Sequence, residues 1–359
     1  MTIRRILTRR GALLEVGGGL CALSGLGALA RAAPAPAGGN AADRHMVRPP
    51  RLRNGDVLGL VAPAGFVADR FGIEEIAQTV RAMGLVPRFA PNVLSREGYL
   101  AGSDAERARE LMAMFADGEV RGLMAVRGGW GSARLLPHLD FAAIARRPKI
   151  FAGFSDNTAL HLALARAGVV SIHGPNAAGS WQPASWDSFR QVAMEGAMPL
   201  YSAPAYAGAN LGGRGPARRT FRGGTARGRL LGGNLAVLSA LAGTPYLPDF
   251  RGAILFLEET NEAEYRIDRM LTQLALSGIL DGIAGIVFGQ CTHCENPDGG
   301  FSNFTVYEVL DRRLGGLGVP AFQGAMIGHV AGQVSIPVGV MAEIDADAGT
   351  IRLLEPAVA

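Results

Sequence analysis

From Asp56 to Gly168 short apolar runs alternate with stretches of helical spacing, and this alternation restricts the fold more than any other feature of the chain. "DVLGLVAPAG" reads as a buried strand halted at Pro63 and Gly65. "IEEIAQTVRAMG" reads as a helix with apolar residues at Ile73, Ile76, Ala77, Val80 and Met83, stopping at Gly84. "LVPRFAP" is extended again, "DAERARELMAMFAD" is a helix with an acidic first turn, and "VRGLMAVRGGWGS" is a strand breaking into a glycine loop. More helix, "RLLPHLDFAAIARR", precedes the apolar run Ile150 to Phe154 and the helical "TALHLALARAG". Such alternation defines a mostly parallel sheet covered on both faces, whose ligand sites gather at the carboxyl ends of its strands.

Beyond "VVSIHGPN" the chain turns to short segments rich in Gly, Pro and aromatic residues. A second α/β region begins near Thr225 with "LLGGNLAVLSALAGTPY", "GAILFLEET", the helical "EAEYRIDRMLTQLALSG", and the strands "IAGIVFGQ" and "VSIPVGVMAEID". The expected organisation is a parallel-sheet domain over residues 51–180, a linker region over 181–224 and a second domain over 225–359. With 48% hydrophobic and 18% charged residues, 359 residues fill two cores. The fifty glycines and twenty prolines punctuate apolar runs along the chain, as in a loop-rich globular protein.

The amino terminus poses a separate problem. "TRRGALL" is a twin-arginine pair entering the uncharged stretch Val16 to Ala30, followed by "ARAAPAPA". This reads as an export signal over residues 1–32 leading into an arm over 33–50, although Glu15 is irregular in that pattern. The apolar stretch is shorter than the roughly 18 to 20 residues of a stable membrane span, so no stable membrane anchor is expected. Removing residues 1–32 takes away five arginines against one glutamate, and the formal charge of +4 falls to zero. A nucleic-acid footprint needs a basic face; the one remaining basic cluster, "RGPARRTFRGGTARGR", has a single aromatic and reads as linker. Cys21 lies in the leader, while Cys291 and Cys294 form "CTHC". One CxxC pair cannot supply four zinc ligands, so it is either a local disulfide or two thiols.

"GFSDNTALH", from Gly153 to His161, puts Ser155 at a strand-to-helix turn, where a nucleophile elbow and an N-cap are both good readings. A nucleophile needs a base. The only lysine, Lys149, has no serine three residues before it, and no H-E-x-x-H occurs, so neither a metal nor a cofactor is expected. Among the six histidines, His45 falls in the arm, His138 in a helical region, and His161 about 9 Å along the helix from Ser155. His173, His293 and His329 remain, with His329 slightly favoured because Gly328 lets the backbone come close. For an orienting acid, "ILFLEET" ends an apolar strand in Glu258. Glu259 should point to the opposite face as a solvated charge, and Glu262 should sit near a helix start.

"AVRGGWGSARLLPHLD", "FAGFSDNTALH", "LLGGNLAVLSALAGTPYLPD", "ILFLEETNEAEYRIDRMLTQL" and "GAMIGH" together resemble the LD-carboxypeptidases, the murein tetrapeptide carboxypeptidases among the S66 serine peptidases. The resemblance covers about residues 52–355, with its blocks in the family's order. It implies a flavodoxin-like amino-terminal domain carrying the nucleophile Ser155, and a swivelling β/β/α carboxyl-terminal domain carrying Glu258 and His329. It also implies cleavage of the bond between a diamino acid and terminal D-alanine, and a homodimer. For the oxyanion, the backbone amides of Asp156 and Gly129 are the expected donors, with Gly128 close behind. Arg127 is either the partner of the substrate carboxylate or half of a structural salt bridge, and Trp130 either lines the substrate wall or packs. Most members of the family work in the cytoplasm, whereas the leader here points to the periplasm.

Two other functions fit the same residues. One is the family's self-immunity branch, which hydrolyses peptidyl nucleotide antibiotics and for which Trp181 or Trp186 would supply stacking on adenine. The other is a murein-binding protein without catalysis, which the intact Ser155, Glu258 and His329 set argues against.

Overall fold

The computed structural model describes residues 45–204, 218–294 and 303–359, all within one compact unit, Gly38–Ala359. The leader at 1–32 and residues 33–44 of the arm lie outside the described residues, as do 205–217 of the linker region.

The first half runs β1 (Val57–Val61), α1 (Arg70–Ala82), β2 (Val86–Phe89), α2 (Asp104–Ala116), β3 (Val120–Ala125), α3 (Phe141–Arg146), β4 (Ile150–Gly153), α4 (Thr158–Arg166) and β5 (Ser171–His173). The second half runs α5 (Pro183–Arg190), β6 (Leu200–Ser202), β7 (Arg219–Arg222), β8 (Thr225–Asn234), α6 (Leu235–Ala240), β9 (Ile254–Thr260), α7 (Glu264–Leu276) and β10 (Gly285–Thr292). It ends with α8 (Val306–Leu314), β11 (Ala321–Gln323), β12 (Ile336–Val338), β13 (Met341–Asp345) and β14 (Thr350–Leu353). Residues 181–224 thus carry α5, β6 and β7.

β1 to β5 are parallel in the order β2-β1-β3-β4-β5, the flavodoxin-like arrangement. Covered on both faces, these strands read as unbroken apolar runs: all four residues of β4 and five of six in β3 are buried. α1 and α2 start where side chains satisfy free amides. Asp69 accepts from the Gly72 amide at 3.0 Å, and Ser103 from the Glu106 amide at 3.2 Å. The chain order reverses between β1 and β3, and there the loops after both strands touch, the Gly65 amide donating to the Gly128 carbonyl at 3.2 Å.

Among the described residues the second sheet has eight strands, with β8, β9, β10 and β11 parallel and β6, β14, β13 and β7 antiparallel on its flanks. With its helices α6, α7 and α8 it forms the β/β/α part. The stretch "VSIPVGVMAEID", read from sequence as one strand, divides at Gly339, which has φ +100°. Ile336–Val338 pairs antiparallel with β5 in the first sheet, and Met341–Asp345 pairs with β8 in the second. Only a residue without a Cβ adopts that φ cheaply, so the glycine lets the chain leave one sheet and enter the other. A second link joins the two sheets at the start of α4, where Thr158 Oγ1 accepts from the Asn234 amide at 2.9 Å.

Candidate active site

Ser155 follows β4 and Phe154 at a tight turn. Its φ of +64° is one of three positive values among the described non-glycine residues. A 3-10 turn over Ser155–Asn157 leads directly into α4, and the serine hydroxyl caps neither element. Of the two readings its sequence allows, the capping role is therefore absent. A left-handed serine costs on the order of 1 to 3 kcal/mol and persists only where its surroundings hold it. Two asparagines do so here. Asn157 Nδ2 donates to the Phe154 carbonyl at 3.0 Å and to Asn176 Oδ1 at 3.2 Å, and Asn176 Oδ1 also accepts the Phe154 amide at 3.2 Å.

The glycine loop after β3 packs against this turn. A Cβ on Gly128 would lie 2.9 Å from Ser155 Cβ and 3.1 Å from its Oγ, so the close approach requires glycine. Gly129 follows with φ +124°. The loop is fastened to the serine turn by Asp156, whose buried carboxylate accepts the Ser132 amide at 2.8 Å, while the Ser132 hydroxyl donates to the Asp156 carbonyl. Burial pushes the Asp156 carboxyl upward, and the Ser132 and Gly131 donors and the Arg107 charge pull it back down.

Arg107 was not singled out from sequence. It is 1% exposed and donates to the Gly131 carbonyl at 3.0 Å, the Gly102 carbonyl at 3.2 Å, the Pro63 carbonyl and Asp104. It therefore joins the loops after β1 and β3. The available signal was an arginine on the same helical face as the buried Leu111 and Phe115.

Arg127 is exposed and, among the described residues, its side chain makes one long hydrogen bond, to the Phe66 carbonyl at 3.4 Å. With Phe66, Glu75, Phe154 and Asn176 it lines a cavity of about 540 Å³ beside the serine turn. Trp130 is 68% exposed and meets Tyr99 edge-on at 5.9 Å, so it does not belong to the core.

Glu258 lies on β9, fully buried, and its Oε2 is 2.8 Å from His329 Nδ1. Gly328 has φ +97°, and a Cβ there would collide with the Glu258 carboxylate. The His329 ring in turn packs 4.7 Å from that of Phe154, the residue before Ser155. The structure thus joins the acid to the imidazole and brings the imidazole against the segment carrying the serine.

The other histidines are differently placed. His161 is buried between Ser171 Oγ and the Gly153 carbonyl, each at 2.8 Å, and burial pushes it down to about 4. His173 is buried among Phe154, Phe256 and His161, with no hydrogen bond to either ring nitrogen among the described residues, and burial drives it well below its usual value. His293 sits between Cys291 and Cys294, which form a disulfide.

Glu259 departs from the solvated charge expected of it. It is 3% exposed and accepts from the Ala236 amide at 2.8 Å, the Thr260 amide at 2.9 Å and Asn234 Nδ2 at 3.1 Å. Strand alternation does send it away from Glu258, but α6 begins on that face and its free amides take up the carboxylate. Glu262 lies just before α7 and pairs with Arg266 at 3.7 Å. Among the described residues no helix is long and apolar enough to cross a membrane.

Parallel sheet, elbow serine and buried acid-imidazole pair make up an α/β peptidase architecture, and comparison with known proteins agrees. Residues 58–174 match the LD-carboxypeptidase N-terminal domain, and residues 227–344 the LD-carboxypeptidase C-terminal domain. The chain is 42% identical to a putative carboxypeptidase of Streptomyces coelicolor, covering 88% of this chain and 98% of the relative. It is 33% identical to a probable murein peptide carboxypeptidase of Bacillus subtilis, covering 83% and 91% respectively. Among solved structures, the muramoyltetrapeptide carboxypeptidase from Oxalobacter formigenes superposes with a TM-score of 0.71 at 29% identity, over 83% of this chain and 97% of that one. The microcin C7 self immunity protein MccF shares the fold, with a TM-score of 0.76 at 24% identity over 87% of this chain and 100% of that one. The chain belongs to the LD-carboxypeptidase family, the S66 peptidases, and is a carboxypeptidase.

Proposed function

We propose that the protein removes terminal D-alanine from murein tetrapeptides through an acyl-enzyme on Ser155. His329 Nε2 takes the hydroxyl proton as Ser155 Oγ attacks the carbonyl of the diamino acid. Glu258, on Nδ1, holds the reactive tautomer and stabilises the imidazolium that forms. The proton then passes to the departing D-alanine amine, and water repeats the sequence on the ester. The observation that carries this reading is the Glu258–His329 hydrogen bond at 2.8 Å, with the His329 ring against Phe154. The amides of Asp156 and Gly129 would hold the oxyanion. Arg127 would take the terminal carboxylate, for which a guanidinium is the natural partner, and Trp130 would form part of the substrate wall.

The "TRRGALL" leader supports work in the periplasm, on tetrapeptide stems of intact or shed murein. Incubation of the protein with murein tetrapeptide should release free D-alanine, detected by mass spectrometry, and Ser155→Ala should abolish the release while keeping the fold. No release by folded wild-type protein removes this reading. Cleavage of a peptidyl nucleotide instead would favour the self-immunity branch, and binding without turnover would favour a murein-binding protein.

A further inference from the structure

The loop carrying His329 lies between β11 and β12 and has no helix or strand of its own. Two alternate residues of β10 hold it. The Gln290 amide donates to the Ile327 carbonyl at 3.1 Å, and the Thr292 hydroxyl donates to the His329 carbonyl at 2.6 Å. Among the described residues, this hydroxyl makes the only hydrogen bond that reaches the His329 main chain from another element.

Thr292 is itself fixed from the opposite side. Its carbonyl accepts the Asn261 amide at 2.9 Å and the Thr260 hydroxyl at 3.1 Å. Thr260 pairs with Thr292 across the ends of β9 and β10, two residues beyond Glu258. The acid and the imidazole are therefore both referenced to one residue. That residue is enclosed by a covalent ring, since the Cys291–Cys294 disulfide spans Thr292 and His293. His293 has φ +56° and Asn261 has φ +57°, conformations that non-glycine residues hold only when their surroundings impose them.

We propose that Thr292 is a positioning residue for His329, and that the disulfide around it makes the enzyme sensitive to dithiol reductants. The proposal rests on His329 acting as the base. A dithiol thiolate attacks one sulfur of the pair and forms a mixed disulfide, which its second thiol resolves. Two electrons and two protons pass to Cys291 and Cys294, which become thiols, and the reductant ends as a disulfide. With the ring open, His293 relaxes toward negative φ, the Thr292 hydroxyl loses its bearing on the His329 carbonyl, and Nε2 is no longer held toward Ser155. An oxidising compartment keeps the ring closed, and a reducing one opens it.

The test compares oxidised full-length protein, the same protein reduced with dithiothreitol, Thr292→Val, Thr292→Ser and the double variant Cys291→Ser/Cys294→Ser. Two properties are read: D-alanine release from murein tetrapeptide, and the pH titration of the His329 imidazole by NMR in protein labelled with 15N-histidine, assigned with His329→Gln. Reduction, the double serine variant and Thr292→Val should each lower kcat by about tenfold or more with KM little changed, because small misplacements of a base are costly. Each should also alter the His329 imidazole titration, and Thr292→Ser should restore both properties. Equal turnover and equal imidazole titration in the oxidised and reduced wild type overturn the role of the disulfide. A wild-type titration in folded Thr292→Val overturns that of Thr292; if this variant does not fold, a wild-type titration in folded Thr292→Ala does so. Failure of the oxidised wild type to release D-alanine counts against the carboxypeptidase reading alone, since the imidazole titration still decides the positioning.

Discussion

His329 Nδ1 lies 2.8 Å from Oε2 of Glu258, while the second carboxylate oxygen of Glu258 is buried without a hydrogen-bond partner among the described residues. A carboxylate in this position accepts Nδ1–H and leaves the Nε2 lone pair free for the serine proton. Glu258→Gln keeps the shape but offers an amide that can donate to Nδ1 and trap the opposite tautomer. Steady-state D-alanine release should show kcat reduced about 10³- to 10⁴-fold at neutral pH with KM little changed. A loss smaller than about tenfold would mean that this acid does not orient the base.

Gly128 tests how closely the glycine loop must approach Ser155. A methyl group there would sit 2.9 Å from Ser155 Cβ and 3.1 Å from Oγ, and Ser155 cannot retreat while Asn157 and Asn176 hold its turn. Gly128→Ala should cost about 1 to 3 kcal/mol in urea unfolding and lower kcat. Gly118→Ala is the matched control, because an added Cβ meets nothing within 4 Å there; it should stay within about 0.5 kcal/mol of wild type.

The contrast between legible and illegible features follows from burial. β3 and β4 could be read directly because strands covered on both faces must be apolar throughout, and Ser155 stood out as a polar residue at the end of such a run. β12 could not, since three residues joined to β13 through one glycine look like a continuous strand until the two sheets compete for them. Arg107, Asp156 and Glu259 form the other illegible group. All three are ionisable side chains buried near element ends, and each has a backbone partner more than twenty residues away that only the folded chain brings near. Local pattern exposes a residue that breaks a period, but it does not reveal which distant carbonyl or amide will satisfy it.

Glu259 gives the stability a pH dependence of defined sign. Burial, helped by the neighbouring Glu258 charge, raises its carboxyl from 4.5 to about 7, outweighing the Thr260, Asn234 and Ala236 donors. The folded state therefore binds the proton more tightly than the unfolded chain does. The stabilisation is complete below about pH 4.5 and disappears as pH rises toward 7, a change on the order of 3 kcal/mol. Glu259→Gln removes the titration, so its unfolding free energy should fall less than that of wild type between pH 4.5 and 7.5. Parallel urea titrations at the two pH values measure the difference, and identical pH slopes would place the Glu259 proton affinity at its unfolded value.

The backbone of Ser155 allows a test that separates chemistry from conformation. At φ +64° any residue with a Cβ is strained by roughly 1 to 2 kcal/mol, a cost that glycine escapes. Elsewhere, glycine is about 0.5 to 1 kcal/mol worse than alanine because the unfolded chain gains freedom. Ser155→Gly should therefore be at least as stable as Ser155→Ala in thermal or urea unfolding, reversing the ordinary order. Both variants lack the hydroxyl, so both should lose D-alanine release. A stable Ser155→Ala that turns over like wild type would remove Ser155 as the nucleophile, whereas an alanine variant clearly more stable than the glycine variant would contradict the left-handed turn itself.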